Sequence, residues 1–213
     1  MAKPTAPLLS FGASGTIAKT AVYSKWRGVP YVRRHVIPSN PNTTSQQSTR
    51  TVFRTTTEMW KVAGSLSVAP WNAFATGRPF LGRNAFIGQN VAQLRGETDM
   101  NLFIGSPGAG GGLPPTSIAL TPGSGDITVD FTNPTAPTGW SLVSAIAVAF
   151  PDQDPSLTFI GPITEGEDAT TMNQVVLSGL DTVSHQVAAW LEWTKPDGTT
   201  AYSASLLDQA TPV

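Results

Sequence analysis

Ser106-Pro107-Gly108-Ala109-Gly110-Gly111-Gly112-Leu113-Pro114-Pro115 decides how this chain is read. Four glycines and three prolines in ten residues leave little to anchor a core, and the composition is that of a linker. Charge changes sign at the same place. Residues 1–112 hold 12 Lys/Arg and 3 Asp/Glu, a net +9; residues 113–213 hold 1 Lys and 11 Asp/Glu, a net −10. A total of −1 therefore hides a dipole between halves. Such a dipole directs one half toward an anionic partner, or stacks copies head to tail. The expected organisation is a basic domain over residues 1–105, a linker over 106–115 and an acidic domain over 116–213.

C-terminal to the linker the pattern is of short strands. Ser117–Leu120 comes first. Ile127, Val129 and Phe131 then alternate with Thr128, Asp130 and Thr132. Trp140–Phe150 is a longer apolar run, followed by Thr158–Ile160, Gln174–Leu177, Gln186–Trp193 and Thr200–Ser205. Turn signals separate them: Gly123-Ser124-Gly125, Asn133-Pro134, Pro151-Asp152 and Pro196-Asp197-Gly198. About seven strands at this spacing predict an all-β, immunoglobulin-like sandwich.

N-terminal to the linker the expected domain is α+β, a β-hairpin plus about three helices. Residues 16–36 read as a hairpin turning near Lys25–Gly28. Val29, Tyr31, Arg33 and His35 share one face, and Pro30, Val32, Arg34 and Val36 the other, so both faces carry basic or aromatic groups. Pro38-Ser39-Asn40-Pro41-Asn42 stops the strand. Thr44 with Gln47 three residues on reads as a capping box for a helix over about Ser45–Val62. Val52, Phe53, Thr56, Met59, Trp60 and Ala63 are its expected inward stripe. A short helix follows Ser67, with Pro70 in its first turn and Trp71 and Phe74 inward. A third covers about Arg83–Leu94, with Phe86, Ile87, Asn90, Val91 and Leu94 on one face. Residues 1–8 are Pro-rich and read as an extended arm that orders on assembly.

Composition narrows the classes further. The charged fraction is 13%, against roughly 25% in ordinary globular domains. The 6 Trp and 9 Phe argue for packed cores rather than disorder. The absence of Cys excludes disulfides, thiolate zinc sites and thiol catalysis. No apolar run reaches the roughly 20 residues of a membrane span, and Met1-Ala2-Lys3-Pro4 lacks a signal-peptide core. The expectation is a soluble chain made in the cytoplasm, without a membrane partner.

Two resemblances follow from particular residues. Ile127-Thr128-Val129-Asp130-Phe131 with Pro134, then Leu177-Ser178-Gly179-Leu180, then Asp197-Gly198 and Ser203, resemble a fibronectin type III-like domain. Tyr23, Trp26-Arg27-Gly28, Tyr31-Val32-Arg33, Pro38, Asn40-Pro41, Thr43-Thr44 and Gln46-Gln47, with Phe53 and Trp60 after them, resemble a recurrent segment of tailed-bacteriophage structural proteins. That resemblance covers about residues 12–60. It implies a virion component, and virion proteins commonly append immunoglobulin-like domains.

Motifs that suggest chemistry have simpler readings. Gly12–Thr20 lacks the Gly that must precede the Lys of a phosphate loop, since Ala18 stands there; a β-turn is expected instead. His35 and His185 have no ligand-spaced partner, so an exposed strand residue and a strand-edge residue are expected. Glu165-Gly166-Glu167-Asp168 and Asp152-Gln153-Asp154 read as solvated acidic loops rather than calcium loops. No Ser-His-Asp arrangement is legible. Asn42-Thr43-Thr44 matches a glycosylation sequon that a cytosolic product would not use. No catalytic residue, metal or cofactor is expected.

The basic cluster remains. Lys25, Trp26, Arg27, Tyr31, Arg33, Arg34, Arg50 and Arg54 form the expected docking or assembly surface, with Lys19 and Tyr23 beside them. Arginines interleaved with aromatics suit a protein interface, where they anchor and pair. They also suit nucleic acid, where they neutralise phosphates and stack on bases; that reading is second. The expected function is a non-enzymatic accessory component of a phage capsid or head–tail region, partnered by other virion proteins and by copies of itself. A tail or fibre protein that binds carbohydrate through Trp140, Trp190 or Trp193 is the alternative.

Overall fold

The computed structural model describes residues 14–37, 39, 42–159 and 161–213. The expected arm over residues 1–8 lies outside them, as do Gly12, Ala13, Pro38, Asn40 and Pro41. The chain is a mixed α+β protein rich in antiparallel strands, and it divides into two compact units, Met1–Asn42 and Thr43–Val213.

The first unit holds β1 (Gly15–Ile17), β2 (Ala21–Trp26) and β3 (Val29–Arg34), an antiparallel sheet in that order. Arg27 and Gly28 join β2 to β3 with φ of 48° and 80°. Both central residues are thus left-handed, the turn whose twist matches a two-residue hairpin. The hairpin expected over residues 16–36 is present. The β1–β2 turn likewise places Ala18 and Lys19 at φ of 45° and 54°.

The second unit begins with α1 (Thr44–Val62), α2 (Ser65–Ala75) and α3 (Gly82–Leu94). The capping box of α1 lies one residue earlier than expected: Thr43 accepts from the Gln46 amide, and the Gln46 side chain accepts from the Thr43 amide. Thr55 takes the inward place expected of Phe53, donating to the Leu157 carbonyl at 2.6 Å, while Phe53 is 54% exposed. Helix α2 starts before Ser67 and holds Pro70 in its interior. Its N-cap is Gly64, which has no side chain to cap with. Glu165 caps it from far along the chain, accepting from the amides of Gly64, Leu66 and Ser67 at 2.7, 3.1 and 3.2 Å.

The strands are β4 (Pro107–Ala109), β5 (Ser117–Gly123), β6 (Asp126–Thr132), β7 (Ser141–Pro151), β8 (Thr164–Asp168), β9 (Gln174–Ser178), β10 (His185–Thr194), β11 (Thr200–Ala204) and β12 (Leu206–Ala210). One sheet runs β4-β11-β10-β7-β8, with β12 also on β10; the other runs β5-β6-β9. Strands β11 and β12 continue one another across a one-residue register shift, Glu192 pairing Tyr202 and Ala189 pairing Leu206. This is the signature of a bulge. Thr158 and Phe159 are not in a strand; they follow a turn in which the Leu157 amide donates to the Asp154 carbonyl at 2.9 Å. Ile160, expected in the same strand, lies outside the described residues.

The larger sheet is buried on both faces. Ala145, Ala147, Ala149, Val187, Ala189, Leu191 and Trp193 face Ile127, Val129, Val175 and Leu177 of the smaller sheet. Ile146, Val148, Phe150, Ala188 and Trp190 face Val52, Met59, Trp71, Phe86 and Leu94 of the helices. A ladder of rings joins the layers: Phe86–Phe103 at 5.7 Å and Phe103–Phe150 at 4.6 Å between centroids. The second unit is therefore three layers, with helices, larger sheet and smaller sheet in that order.

The division expected at residues 106–115 is corrected by this arrangement. Pro107–Ala109 is a strand paired with β11, Ala109 opposite Tyr202. Ser106 accepts from the Ser205 amide at 3.1 Å, and the Trp71 indole donates to the Gly105 carbonyl at 2.8 Å. A Cβ on Gly105 would lie 2.6 Å from the Ala188 Cβ, and one on Gly112 would lie 2.7 Å from the Tyr202 carbonyl carbon. These glycines permit close approach of backbone to sheet, not flexibility. The three helices belong with the strands that follow, and the sheet β1-β2-β3 lies in the other unit.

Candidate docking surface

Charge divides with the units. Residues 1–42 hold six Lys/Arg and no Asp/Glu, and Glu58 is the first carboxylate in the sequence; residues 43–213 hold seven Lys/Arg and fourteen Asp/Glu, a net −7. No carboxylate of the first unit is present to neutralise its Lys19, Lys25, Arg27, Arg33 and Arg34.

Strand register sets which side chains share a face of that unit. Tyr23 opposite Val32, Lys25 opposite Pro30 and Ala21 opposite Arg34 lie on one. Val22 opposite Arg33, Ser24 opposite Tyr31 and Trp26 opposite Val29 lie on the other. No described residue of the unit is buried. Lys25, Arg27, Arg33 and Arg34 are exposed and Tyr31 is half-buried. Trp26 is 67% exposed, with the Arg27 guanidinium 5.0 Å from its ring centroid. Both faces carry basic and aromatic groups, as the alternation implies.

Arg50 and Arg54 lie on α1, in the other unit, and both are exposed. The eight residues expected to form one surface therefore fall six on the hairpin and two on the helix layer. Phe53, Arg83, Asn84, Ile87, Gly88 and Val91 line a groove of about 460 Å³ between α1 and α3. Reading Phe53 as core hid this groove from sequence reasoning.

Other singled-out residues are structural. His185 is 3% exposed at the start of β10, not at a strand edge, with its Nδ1 2.8 Å from the Val183 carbonyl. His35 is half-buried, its amide on the Thr20 carbonyl at 2.8 Å. Residues 164–168 form β8 rather than a loop, and Glu165 caps α2. Asp168 is held well below the usual carboxylate range, first by the Thr171 hydroxyl and then by the amides of Thr170, Thr171 and Asn173. Asp152 accepts from the Met100 amide at 3.2 Å and the Gln209 side chain at 2.8 Å, and Asp154 from the Ser156 amide at 2.7 Å. Burial raises Glu192, the Ser144 hydroxyl opposes that shift, and the nearby Glu167 adds to it. Trp190 and Trp193 are wholly buried and present no ring to a sugar; Trp140 is half-buried beneath Lys195, whose Nζ is 5.6 Å from its centroid.

Among the described residues, no helix is long and apolar enough to cross a membrane. No protein-family model matches the chain, and no curated protein matches it.

Proposed function

We propose that this chain is a non-enzymatic assembly protein whose first unit is a docking element. The observation that carries this reading is a three-stranded sheet with no buried described residue, no carboxylate and an exposed Trp-Arg turn. A sheet of this size gains little stability from its own burial and is completed by packing against something else. Arg and Trp are the side chains that carry most energy when such a surface is covered. The second unit is the body that the sheet attaches.

More particularly, the chain is an accessory component of a tailed-phage virion, at the capsid or head–tail region. The resemblance over residues 12–60 supports that placement. The body is a fibronectin type III-like sandwich with a helical layer added. Its division into β5-β6-β9 against β7, β10 and β11 agrees with the A-B-E and C-F-G strands of immunoglobulin-like folds. Burial of Trp190 and Trp193 weighs against carbohydrate adhesion. Nucleic-acid binding is the second reading, because the Arg and aromatic side chains of the hairpin interleave.

Quantitative mass spectrometry of purified particles of the encoding phage, scaled to the major capsid protein, tests the proposal. The chain is expected at fixed stoichiometry. Its absence from the particle, with a strongly salt-dependent gel shift, would replace this reading by the nucleic-acid one.

A further inference from the structure

On one face of the smaller sheet every residue is exposed or half-buried. Ile127, Val129, Val175 and Leu177 point into the sandwich and are buried. The alternate residues point outward: Asp126, Thr128 and Asp130 on β6, flanked by Ala119 and Thr121 on β5 and by Gln174 and Val176 on β9. This outward face carries two carboxylates and no Lys or Arg, and Val176 on it is 51% exposed. It is a small acidic face of three antiparallel strands. The first unit is a small, basic sheet of three antiparallel strands.

We infer that the basic sheet of one copy docks on the outward β5-β6-β9 face of a second copy. This rests on the docking reading above and names its partner. Charge complementarity is the ground: the unit of residues 1–42 holds cations only, whereas the outward face holds Asp126 and Asp130 with no Lys or Arg, on a body that is −7. The two surfaces differ, so the association is head to tail and closes into a ring or extends as a chain.

Sedimentation velocity of the full chain at low and high salt tests this. Association at low salt that reverts to monomer at high salt is expected, because exposed charges are screened beyond roughly 10 Å at 0.1 M. Arg33→Glu and Asp130→Lys are each expected to be monomeric. An equal mixture of the two should recover association, since each variant retains one wild-type surface that the other requires. Recovery on mixing also shows that both variants are folded. A monomeric wild type at both salts, or a mixture that stays monomeric, overturns the inference. If a monomeric chain is still found in purified particles, the docking reading stands without this partner. If it is found in neither state, both fail.

Discussion

Glu165→Ala leaves three amides at the start of α2 without the carboxylate that joins this helix to the β8 edge of the sheet. An ordinary side-chain cap is worth about 1 kcal/mol, and a well-buried hydrogen bond to a charged group about 1.5–3 kcal/mol net of water. Gly64 is exposed, so water replaces one bond readily; the amides of Leu66 and Ser67 are half-buried. A net loss of about 2 kcal/mol follows, which for a unit of this size lowers Tm by about 4–8 °C. Glu165→Gln keeps an acceptor and loses the charge, so about half that loss is expected. Gly64→Ala offers a second approach to the same contact. A Cβ there would lie 2.7 Å from the Glu165 carboxyl carbon, so the carboxylate must leave. Its cost should shrink sharply in the Glu165→Ala background, a coupling of about 1–2 kcal/mol. Urea unfolding of the two single variants and the double variant measures all of this. A Glu165→Ala loss below about 0.5 kcal/mol, the range of inert surface changes, would refute the reasoning, as would strict additivity.

Glu192→Gln should raise Tm at neutral pH. A carboxyl whose folded pKa is raised by burial costs stability above that pKa, and the cost disappears as pH falls toward the unfolded value of about 4.3. The gain should therefore close as the Tm series approaches about pH 4. Gly105→Ala should cost about 1–3 kcal/mol in denaturant unfolding, because its methyl group meets Ala188 and Trp190 with no room to retreat. Residues 43–213 should unfold cooperatively on their own, since both cores are built wholly from residues after Thr43. Residues 116–213 should aggregate in size-exclusion chromatography, because Ile146, Val148, Phe150 and Trp190 lose their helical cover.

The hairpin was legible because its signals are local: a two-residue Arg27-Gly28 turn between alternating strands. Most strands of the sandwich were legible for the same reason. The attachment of the helices was not, although Ser141–Phe150 carried the evidence. An exposed sheet face would show polar residues at every second place, whereas this run is apolar at both parities from Ala145 to Phe150. Two covers were needed, and the helices are the second. The glycine-rich segment misled because Gly serves a mobile linker and a tight contact equally well; its partners at Ala201, Tyr202 and Ala204 are about 90 residues away. The capping box was ambiguous by arithmetic, since Thr43 with Gln46 and Thr44 with Gln47 both have the required spacing. Arg50 and Arg54, expected on one surface with the hairpin residues, belong to the second unit, a tertiary split that no local signal carries.

The double burial of the larger sheet bears on synthesis at the ribosome. Helices α1–α3 leave the exit tunnel before every strand of the second unit, with Val52, Met59, Trp71 and Phe86 aimed at strands that do not yet exist. Trp190 on β10 follows about 130 residues after the end of α1, which at ribosomal speed is roughly 6–25 seconds. During that interval the helical layer exposes the apolar surface that the larger sheet will later cover. The last strands to emerge, β10 to β12, are the ones that close both cores at once.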